Sequence, residues 1–341
     1  MPHKTVNLAI LGATGTVGKV MISILEKRNF PIKKLYLLAT EHSIGKRMFF
    51  QKKIINVEEA ENFDFSKVQI ALFTAGAKVS FKYVSKARDA GCVVIDNTSQ
   101  FRYDAEVPLV IPEVNPERIA DYTNRYVIAN PNCSTIQMLV ALNPIYKTVG
   151  IDKIHVATYQ AVSGSGHLAI SELVKQIGEL LNGRIPTAEI YPCQIAFNVF
   201  PQIDTFQDNG FTKEEMKMLW ETQKILEDPD IQVTATAVRV PVLYGHSEAV
   251  HIETKHNCLA AKARYLLNKS PGIKVLDDPK KEIYPTVFEH AIKSDLVYVG
   301  RIRNDIGSKK GLNLWIVADN LRKGAALNSI QIAEILLNKY L

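Results

Sequence analysis

The stretch from Val6 to Gly18, VNLAILGATGTVG, decides the fold of the first part of this chain. Its apolar run, Val6–Leu11, predicts a buried parallel strand, and a helix-like segment opens at the glycines that follow. These glycines are spaced differently from the commoner GxGxxG, but they meet the same needs: a tight turn, close approach of the backbone to a pyrophosphate, and packing of a helix on a strand. Strand, glycine turn and helix together predict a dinucleotide-binding site, with a purely structural turn as the alternative. The residues assigned to the nucleotide in this turn are Gly12, Thr14, Gly15, Thr16 and Val17.

Alternation of strand-like and helix-like segments continues from this turn to about Pro131. Such βαβ repetition predicts a parallel sheet wound with helices. The expected fold class is therefore α/β, with a Rossmann-like dinucleotide-binding domain. The expected strands after Val6–Leu11 are Leu35–Ala39, Val68–Thr74 and Cys92–Asp96, and the expected helices are Val17–Arg28 and Val79–Ala90.

Beyond Cys133 the pattern changes to longer β-rich runs with helices between them, which predicts a second, mixed α+β domain. Helix Thr212–Leu226 is expected to begin with Thr212 as N-cap and with two glutamates in its first turn, where carboxylates suit the helix dipole. A last apolar-striped helix, Asn328–Leu341, is expected to pack back on the first domain. The other expected elements are strands Lys153–Val162, Gln232–Val242, Ala249–Lys255, Val297–Ile302 and Leu312–Ala318, and helix Leu168–Leu181.

The composition is that of a globular protein with two domains. The chain has 341 residues, of which 47% are hydrophobic and 22% charged. The formal net charge of +6 is spread along the sequence, which weakly favours a small anionic ligand and gives almost no support to nucleic-acid binding. No apolar run approaches the roughly 20 residues of a membrane helix. The four cysteines lie far apart without a CxxC pair, so we expect a cytoplasmic protein with neither a disulfide framework nor a zinc knuckle.

One cysteine, Cys133, is a candidate nucleophile. It follows a predicted strand, Tyr126–Ala129, and stands at the expected first turn of a helix, between Pro131-Asn132 and two hydroxyl residues. The N–H groups and the dipole at a helix N-terminus favour the thiolate, which is the form that attacks carbonyl carbons. A nucleotide-binding half followed by such a thiol suggests hydride transfer through a thioester. The remaining cysteines, Cys92, Cys193 and Cys258, are expected to be small buried hydrophobes.

His246 is the best-placed of the eight histidines to handle a proton for this thiolate, with Arg239 seven positions earlier. Residues seven apart do not share a face of a strand, so a bend at Pro241 or Gly245 is required. Histidines recur at 246, 251 and 256, but this spacing matches no standard zinc pattern, and we expect no metal.

The choice between NAD and NADP depends on the residues after the second strand. An acidic residue closing that strand would bind a ribose 2′-hydroxyl, whereas hydroxyls and cations favour a 2′-phosphate. Thr40 and Ser43, with Lys46 and Arg47 nearby, therefore predict NADP, and Glu41 argues against it.

Over nearly its full length the chain resembles the bacterial-type aspartate-β-semialdehyde dehydrogenase family. Jointly, the motifs that carry this resemblance are highly specific. They are Gly12–Gly18 (GATGTVG), Asp96–Arg102 (DNTSQFR), Val107–Asn115 (VPLVIPEVN), Asn130–Thr135 (NPNCST), Gln160–Gly164 (QAVSG) and Arg239–Glu248 (RVPVLYGHSE).

The resemblance implies a role for each matching residue. Cys133 would be the nucleophile, His246 the acid/base and Gln160 the residue that orients the intermediate. Arg239 would pair with the substrate α-carboxylate through its planar fork, and Glu214 would lie near the amino group. Arg102, Asn132 and Lys217 would bind the acyl phosphate or inorganic phosphate, and Ser163, Gly164 and Asn320 would meet the cofactor. For Glu214 and Lys217 a solvated helix face is the alternative. Relatives usually carry arginine where His42 stands, which weakens the expectation of strict NADP use.

The implied reaction is the NADPH-dependent reductive dephosphorylation of L-4-aspartyl phosphate to L-aspartate 4-semialdehyde, in the biosynthesis of lysine (through diaminopimelate), threonine and methionine. We expect an NADP-binding domain of residues 1–131 with the C-terminal helix 322–341, a catalytic and dimerisation domain of residues 132–321, and a homodimer. The nearest alternative is N-acetyl-γ-glutamyl-phosphate reductase, whose substrate is one methylene longer, although the segment around His246 argues against it. Glyceraldehyde-phosphate dehydrogenase is disfavoured by the nucleophile segment. A non-catalytic NADP-binding protein is the alternative of another class.

Overall fold

A computed structural model describes residues 5–341 of the chain, apart from the side chain of His42. The described chain divides into two compact units. The first runs to Pro131 and includes Ala325–Leu341, and the second is Asn132–Gly324.

The first unit contains a seven-stranded sheet in the order β3-β4-β2-β1-β5-β6-β7. All its neighbouring strands are parallel except the pair β3 and β4, so the predicted α/β class is confirmed. The strand expected at Val6–Leu11 has those bounds in the structure. The elements of this unit up to β7 are β1 Val6–Leu11, α1 Thr16–Lys27, β2 Ile32–Ala39, β3 Arg47–Phe50, β4 Lys53–Glu59, β5 Ile70–Phe73, α2 Ala77–Asp89, β6 Val93–Asp96 and β7 Val127–Ala129.

The second unit is built on a mixed six-stranded sheet in the order β11-β12-β13-β10-β8-β9. The predicted mixed α+β character of this half is therefore also confirmed. Its elements are α3 Cys133–Val149, β8 Ile151–Gln160, α4 His167–Leu181, α5 Lys213–Leu226, β9 Gln232–Arg239, β10 His246–Thr254, α6 Ala260–Asn268, β11 Ile273–Val275, β12 Val297–Asn304 and β13 Gly311–Ala318, and the last helix of the chain, α7 Leu327–Lys339, returns to the first unit.

Helix α7 packs into the core of the first unit against α1. Ile330, Ala333 and Leu337 are buried in the same apolar cluster as Met21 and Leu25. At the edge of this contact Arg28 makes a two-pronged ion pair with Glu334, in which both N···O distances are 2.7 Å. The apolar stripe read from the sequence is therefore the face that α7 buries.

The strand register of the second unit brings site residues to one edge of its sheet. Strands β8 and β9 are parallel and end side by side, with Gln160 opposite Arg239. Strand β10 runs antiparallel to β8, and its Ser247 lies opposite Tyr159, so β10 begins at this same edge with His246. Gly245, immediately before it, has φ +83°, a conformation that favours glycine, and supplies the bend that the sequence required.

Among the described residues, none of the helices has both the length and the apolar character that a membrane span requires.

Candidate active site

Cys133 is the first residue of α3, as predicted. The side chain of Asn132 caps this helix, because its Oδ1 accepts the backbone N–H groups of Ser134 at 3.0 Å and Thr135 at 3.4 Å. The first turn of α3 contains no acidic residue, and the Cys133 side chain is only partly buried. The thiol is thus exposed to the positive end of a helix, which is the setting a thiolate nucleophile needs.

The other cysteines do not have this setting. Cys92 is fully buried, and burial raises the pKa of its thiol to about 12. Burial also raises the pKa of Cys258. Cys193 is half-buried against an apolar cluster. The expectation that Cys92 and Cys258 are buried hydrophobes is confirmed.

A carboxylate, Glu214, joins the nucleophile helix to the end of β8. Its Oε1 accepts hydrogen bonds from Asn132 Nδ2 at 2.9 Å and from Gln160 Nε2 at 3.1 Å. Its Oε2 lies 2.9 Å from Lys217 Nζ. Burial alone would raise the pKa of Glu214, but the Lys217 cation and these hydrogen bonds outweigh it and lower the pKa to about 2. Glu214 is therefore a buried, fully ionised carboxylate.

Lys217 lies between two carboxylates. Its Nζ also contacts Asp204 Oδ2 at 2.8 Å. Burial opposes the charged ammonium, but Glu214 and Asp204 outweigh it, and the pKa of Lys217 is raised. With Glu214 and Asp204 ionised, the three side chains carry charges of −1, +1 and −1 and sum to −1. Such a cluster suits a substrate ammonium group better than a phosphate. Asp204 was not predicted from the sequence.

The start of α5 explains why Glu214 and Lys217 face inward. Thr212 and Glu215 form the predicted N-cap as a capping box, in which the Thr212 N–H donates to Glu215 Oε2 at 2.6 Å. The other oxygen of Glu215 accepts the Ala237 N–H at 2.9 Å, which fixes the helix on β9. Glu214 and Lys217 are 5% and 8% exposed, so the alternative of a solvated helix face is wrong.

One residue, Ala161, orients both Arg239 and His246. Its carbonyl accepts a hydrogen bond from Arg239 Nη1 at 2.7 Å, and its N–H donates to His246 Nδ1 at 3.0 Å. Because Nδ1 accepts a hydrogen bond, the proton of the neutral imidazole is on Nε2. Burial, followed by the nearby Arg239 cation, lowers the pKa of His246 to about 3. His246 is therefore neutral near pH 7.

Two buried nitrogen atoms of this pair have no hydrogen-bond partner among the described residues: Nε2 of His246 and Nε of Arg239. A buried polar atom without a partner is costly, and at an enzyme site it indicates where a ligand binds. A Cβ placed on Gly164 would lie 3.4 Å from Arg239 Nη1 and 3.6 Å from His246 Nε2. Gly164 therefore lies against both groups and leaves room beside them.

The resemblance assigned Ser163, Gly164 and Asn320 to the cofactor. In the structure Ser163 and Asn320 are in contact, and Gly164 directly follows Ser163. Asn320 Nδ2 donates to Ser163 Oγ at 3.1 Å, and Asn320 Oδ1 accepts the Gly245 N–H at 2.9 Å. This amide thus connects the turn after β8 to the bend before His246.

A buried polar pair, Gln137 and Glu248, was missed by the sequence analysis. Gln137 lies four residues after Cys133 on α3, and Glu248 lies two residues after His246 on β10, so each shares a face with a candidate catalytic residue. Both are fully buried. Burial raises the pKa of Glu248 well above its usual value, with Gln137 weakly opposing the rise. Burial therefore favours the neutral, protonated form of the Glu248 carboxyl.

In the first unit the glycine turn has the form that a dinucleotide needs. Gly12 has φ +93°, and a Cβ on Gly18 would lie 2.3 Å from Gly12 O, so both positions require glycine. Helix α1 begins after Gly15 without a side-chain cap or an acidic residue in its first turn. Its N-terminal N–H groups and positive dipole end therefore suit a pyrophosphate, with Thr14, Thr16 and Val17 in the same turn.

The end of β2 opens into a cavity of about 440 Å³. Thr40 and Glu41 line it, and Ser43 accepts a hydrogen bond from Lys46 at 3.2 Å. One predicted hydroxyl, Thr40, therefore lines the cavity, and the other, Ser43, pairs with the predicted cation in the turn that follows Thr40. The prediction about His42 concerns a side chain that the structure does not describe. The lining residues that the sequence analysis missed are Glu59, Glu61, Lys78, Val79, Lys82 and Tyr83.

Arg102 also belongs to the first unit. It is buried, and its Nη2 donates to Asn97 O at 3.1 Å. The turn that carries it is fixed by Asp96, whose carboxylate accepts hydrogen bonds from Thr98 and from Ser80.

No group of three or more His, Cys, Asp or Glu side chains in residues 5–341 could hold a metal ion.

Two protein-family models match the chain. The model described as the NAD-binding domain of semialdehyde dehydrogenases matches residues 7–122, and the one described as their dimerisation domain matches residues 142–323. The aspartate-semialdehyde dehydrogenase of Legionella pneumophila is 59% identical over 335 residues, which are 98% of this chain and 96% of the relative. The chain belongs to the aspartate-semialdehyde dehydrogenase family. It is therefore an oxidoreductase of amino-acid biosynthesis, and the alternative of a non-catalytic protein is wrong.

Other aspartate-semialdehyde dehydrogenases match at similar coverage. The Bacillus subtilis enzyme is 48% identical over 338 residues, 97% of each chain. Among solved structures, aspartate semialdehyde dehydrogenase II of Vibrio cholerae, complexed with ASA, has a TM-score of 0.98 at 54% identity and covers 99% of this chain and 100% of its own. The Candida albicans enzyme, solved with NADP, has a TM-score of 0.77 at 26% identity and covers 98% of each chain.

Proposed function

We propose that this chain catalyses the NADPH-dependent reductive dephosphorylation of L-4-aspartyl phosphate to L-aspartate 4-semialdehyde through a thioester on Cys133. The observation that carries the proposal is the grouping of unpartnered or ionised side chains beside the helix start: Glu214 is bonded to Asn132, and Arg239 and His246 are oriented by one residue at the end of β8. The Vibrio cholerae relative complexed with ASA supports the substrate.

The substrate's charged groups match side chains of opposite character. Arg239 Nε has no hydrogen-bond partner among the described residues, so the α-carboxylate would pair with the edge of the planar fork that contains it. Glu214 accepts the α-ammonium group, which the net negative charge of its cluster favours. Phosphate is assigned to Arg102, to the remaining N–H of Asn132 and to the remaining N–H of Lys217. Because two of the three N–H bonds of Lys217 are already used, we expect Arg102 to contribute most of that affinity.

The chemistry centres on the sulfur of Cys133. Its thiolate attacks the acyl carbon, a C–S bond forms, and the C–O bond to phosphate breaks with the electron pair leaving on phosphate. A bound reduced nicotinamide supplies the hydride that reduces the resulting thioester. The hemithioacetal oxyanion on Cys133 then reforms a carbonyl, the C–S bond breaks, and the thiolate is restored.

His246 and Gln160 act on the oxygen of these intermediates. The Nε2–H of His246 has no hydrogen-bond partner among the described residues and donates to the oxyanion, so His246 controls the proton of the hemithioacetal. Gln160 is held by Thr158 and Glu214, so one N–H of its amide is left to orient the intermediate.

We assign NADP as the cofactor. Gly12, Thr14, Gly15, Thr16 and Val17 would hold the pyrophosphate, and Thr40 and Ser43, with Lys46, would hold the 2′-phosphate. Ser163, Gly164 and Asn320 would meet the nicotinamide end. The Candida albicans relative solved with NADP supports this choice, whereas Glu41 and Glu59 in the adjoining cavity limit its strictness.

The biological setting follows from the reaction and the comparisons. The product would enter the routes to lysine through diaminopimelate, to threonine and to methionine. The match to a dimerisation-domain model supports a homodimer. The need for a reduced thiol at Cys133 supports a cytoplasmic location, since thiols persist there.

The test is the reverse reaction, because it uses stable reagents. Purified protein should reduce NADP in the presence of aspartate semialdehyde and phosphate, and omitting phosphate should stop the reaction. NAD and N-acetylglutamate semialdehyde are the comparison substrates. Faster turnover with NAD than with NADP would overturn the cofactor assignment, and faster turnover with the longer aldehyde would overturn the substrate.

A further inference from the structure

A tyrosine ring lies over the guanidinium of Arg239. The Arg239 Cζ is 5.6 Å from the centroid of the Tyr191 ring, within the range of a cation–π interaction. The Ala161 carbonyl holds Nη1 of the same guanidinium at 2.7 Å. One edge and one face of the group are therefore held, whereas the buried Nε has no hydrogen-bond partner among the described residues.

The loop that carries Tyr191 is attached to α4 by two buried side chains. Glu172 Oε2 accepts the N–H groups of Glu189 and Ile190, the two residues immediately before Tyr191. Gln176 Oε1 accepts the N–H groups of Ile195 and Ala196 at 3.0 and 3.1 Å. Glu172 and Gln176 are one helical turn apart on α4, so their hydrogen bonds hold the loop both before and after Tyr191.

The ring is also fixed from the side of β9. Phe200 packs edge-on against Tyr191, with centroids 5.5 Å apart and an interplanar angle of 63°. The backbones of Phe200 and Arg239 exchange hydrogen bonds of 2.9 and 3.2 Å. The Tyr191 hydroxyl is 3.5 Å from Val162 O, a distance at which a hydrogen bond contributes little, and it also interacts with the Ser165 side chain.

From these contacts we propose that Tyr191 is a positioning residue for Arg239, and that its ring face sets the plane in which the guanidinium meets the substrate carboxylate. This inference rests on the proposed function, since it takes Arg239 as the carboxylate ligand. Bidentate pairing requires the guanidinium and the carboxylate to lie close to one plane. A ring that holds that plane before substrate arrives reduces the entropy lost on binding.

The proposal distinguishes the ring from the hydroxyl. Tyr191→Phe keeps the ring, so its KM for aspartate semialdehyde should stay within about twofold of the KM of the parent. Tyr191→Leu removes the ring and should raise that KM about three- to thirtyfold, the span of a cation–π interaction, with the KM for phosphate unchanged. Tyr191→Met provides a second ring-free variant should the leucine variant not fold.

Tyr265→Leu is the matched control. It removes another tyrosine ring that lies over a cation, Lys269, at 4.3 Å in the same unit, but on the exposed side of α6. Its kinetic constants should equal those of the parent. A further comparison places Tyr191→Leu in an Arg239→Lys background, where it should have little additional effect because the fork it orients is gone.

Substrate binding can be measured without turnover, because bound aspartate semialdehyde should protect Cys133 from alkylation by iodoacetamide. The concentration for half-protection should rise in Tyr191→Leu as KM does. An unchanged KM in the ring-free variants, an equal loss in Tyr191→Phe, or a parallel rise in the phosphate KM would overturn the role of Tyr191. Absence of phosphate-dependent activity in the parent chain would instead remove the proposed function itself.

Discussion

The N–H of Ala161 donates a hydrogen bond to Nδ1 of His246 at 3.0 Å. A backbone N–H can only donate, so the imidazole accepts at Nδ1 and keeps its proton on Nε2. Protonating His246 in the folded state would break this bond and place a second cation near Arg239. The histidine proposed to handle the proton is thus held neutral, and its Nε2–H has no hydrogen-bond partner within residues 5–341.

This arrangement predicts an acid sensitivity of the fold. The pKa of His246 is about 3 when folded and near 6.5 when exposed, so between these values the unfolded chain binds more protons at this group. Stability should fall as pH drops below about 6.5, by about 1.4 kcal/mol per pH unit from this histidine alone. Urea unfolding of the parent and of His246→Asn at pH 7.5, 6 and 5 gives the free energy of unfolding of each protein at each pH. The stability difference between them should shift in favour of the variant as pH falls, and a constant difference would contradict the assignment.

Glu248 should show the opposite dependence on pH. Burial raises its pKa when folded, so above about 4.5 the folded chain binds more protons at this group than the unfolded chain does. Its contribution to stability is therefore most favourable at low pH and is lost as pH rises toward the raised value. Glu248→Gln keeps the shape without an ionisable proton and should gain stability over the parent as pH rises from 5 to 8. Thermal unfolding of both proteins from pH 5 to 8 measures this stability difference. A stability gain of Glu248→Gln that shrinks with rising pH would contradict the raised pKa of Glu248.

The nucleophile can be tested by chemistry and by substitution. Cys133→Ser should abolish phosphate-dependent NADP reduction, because a serine hydroxyl at a helix start is not ionised near pH 7. Iodoacetamide near pH 7 should modify Cys133 and spare Cys92, whose pKa is about 12. Peptide mass spectrometry identifies the modified cysteine. Near-normal turnover in Cys133→Ser, with cofactor binding intact, would refute the thioester.

Part of this site could be read from the sequence because its signals are local. Gly12 and Gly18 lie next to an apolar strand, and Cys133 follows Asn132, a residue that caps helices. The structure places both segments as expected, with α1 and α3 each beginning at the predicted turn. Local context was enough there because a helix start needs only residues near in sequence.

The remaining site residues depend on contacts across the fold. Glu214 and Lys217 have the local pattern of an exposed helix, and only the packing of α5 on β9 buries them. Ala161 lies in the Gln160–Gly164 motif, but its contacts with Arg239 and His246 depend on the register of β8 with β9 and β10, which no local pattern encodes. Tyr191 and Asp204 lie in loops without a distinctive sequence context, and only the folded chain brings them to Arg239 and Lys217.

The hairpin of β3 and β4 was missed for a related reason. Its strands are short and mostly exposed, so their apolar residues do not alternate clearly. Gln51 and Lys52 take the left-handed backbone at the turn, with φ of 48° and 63°, where Asn-Gly is the usual signal. Strand β10 begins three residues before the expected Ala249, because His246 and Glu248 are polar residues in a buried strand.

Arg239 should not tolerate a change to lysine. Arg239→Lys keeps the positive charge but loses the planar fork, the guanidinium contact with Ala161 O and the guanidinium contact with the Tyr191 ring. We expect the KM for aspartate semialdehyde to rise and kcat/KM to fall at least tenfold, about 1.4 kcal/mol. Initial rates at varied aldehyde concentration measure it. An unchanged KM would remove Arg239 from the carboxylate role.

Two glycines in helices provide a matched pair for the nucleotide turn. A Cβ on Gly18 would lie 2.3 Å from Gly12 O and 2.7 Å from Ala13, both backbone contacts that cannot move independently of the turn. Gly18→Ala should therefore displace the start of α1 and weaken NADP binding. Gly178 lies on an exposed face of α4 with open space around it, so Gly178→Ala should raise stability by about 0.5–1 kcal/mol, because alanine loses less backbone entropy in a helix. Thermal unfolding and NADP titration of both variants make the comparison. Equal effects of the two substitutions would mean that the turn tolerates a side chain and that Gly18 is not required by packing.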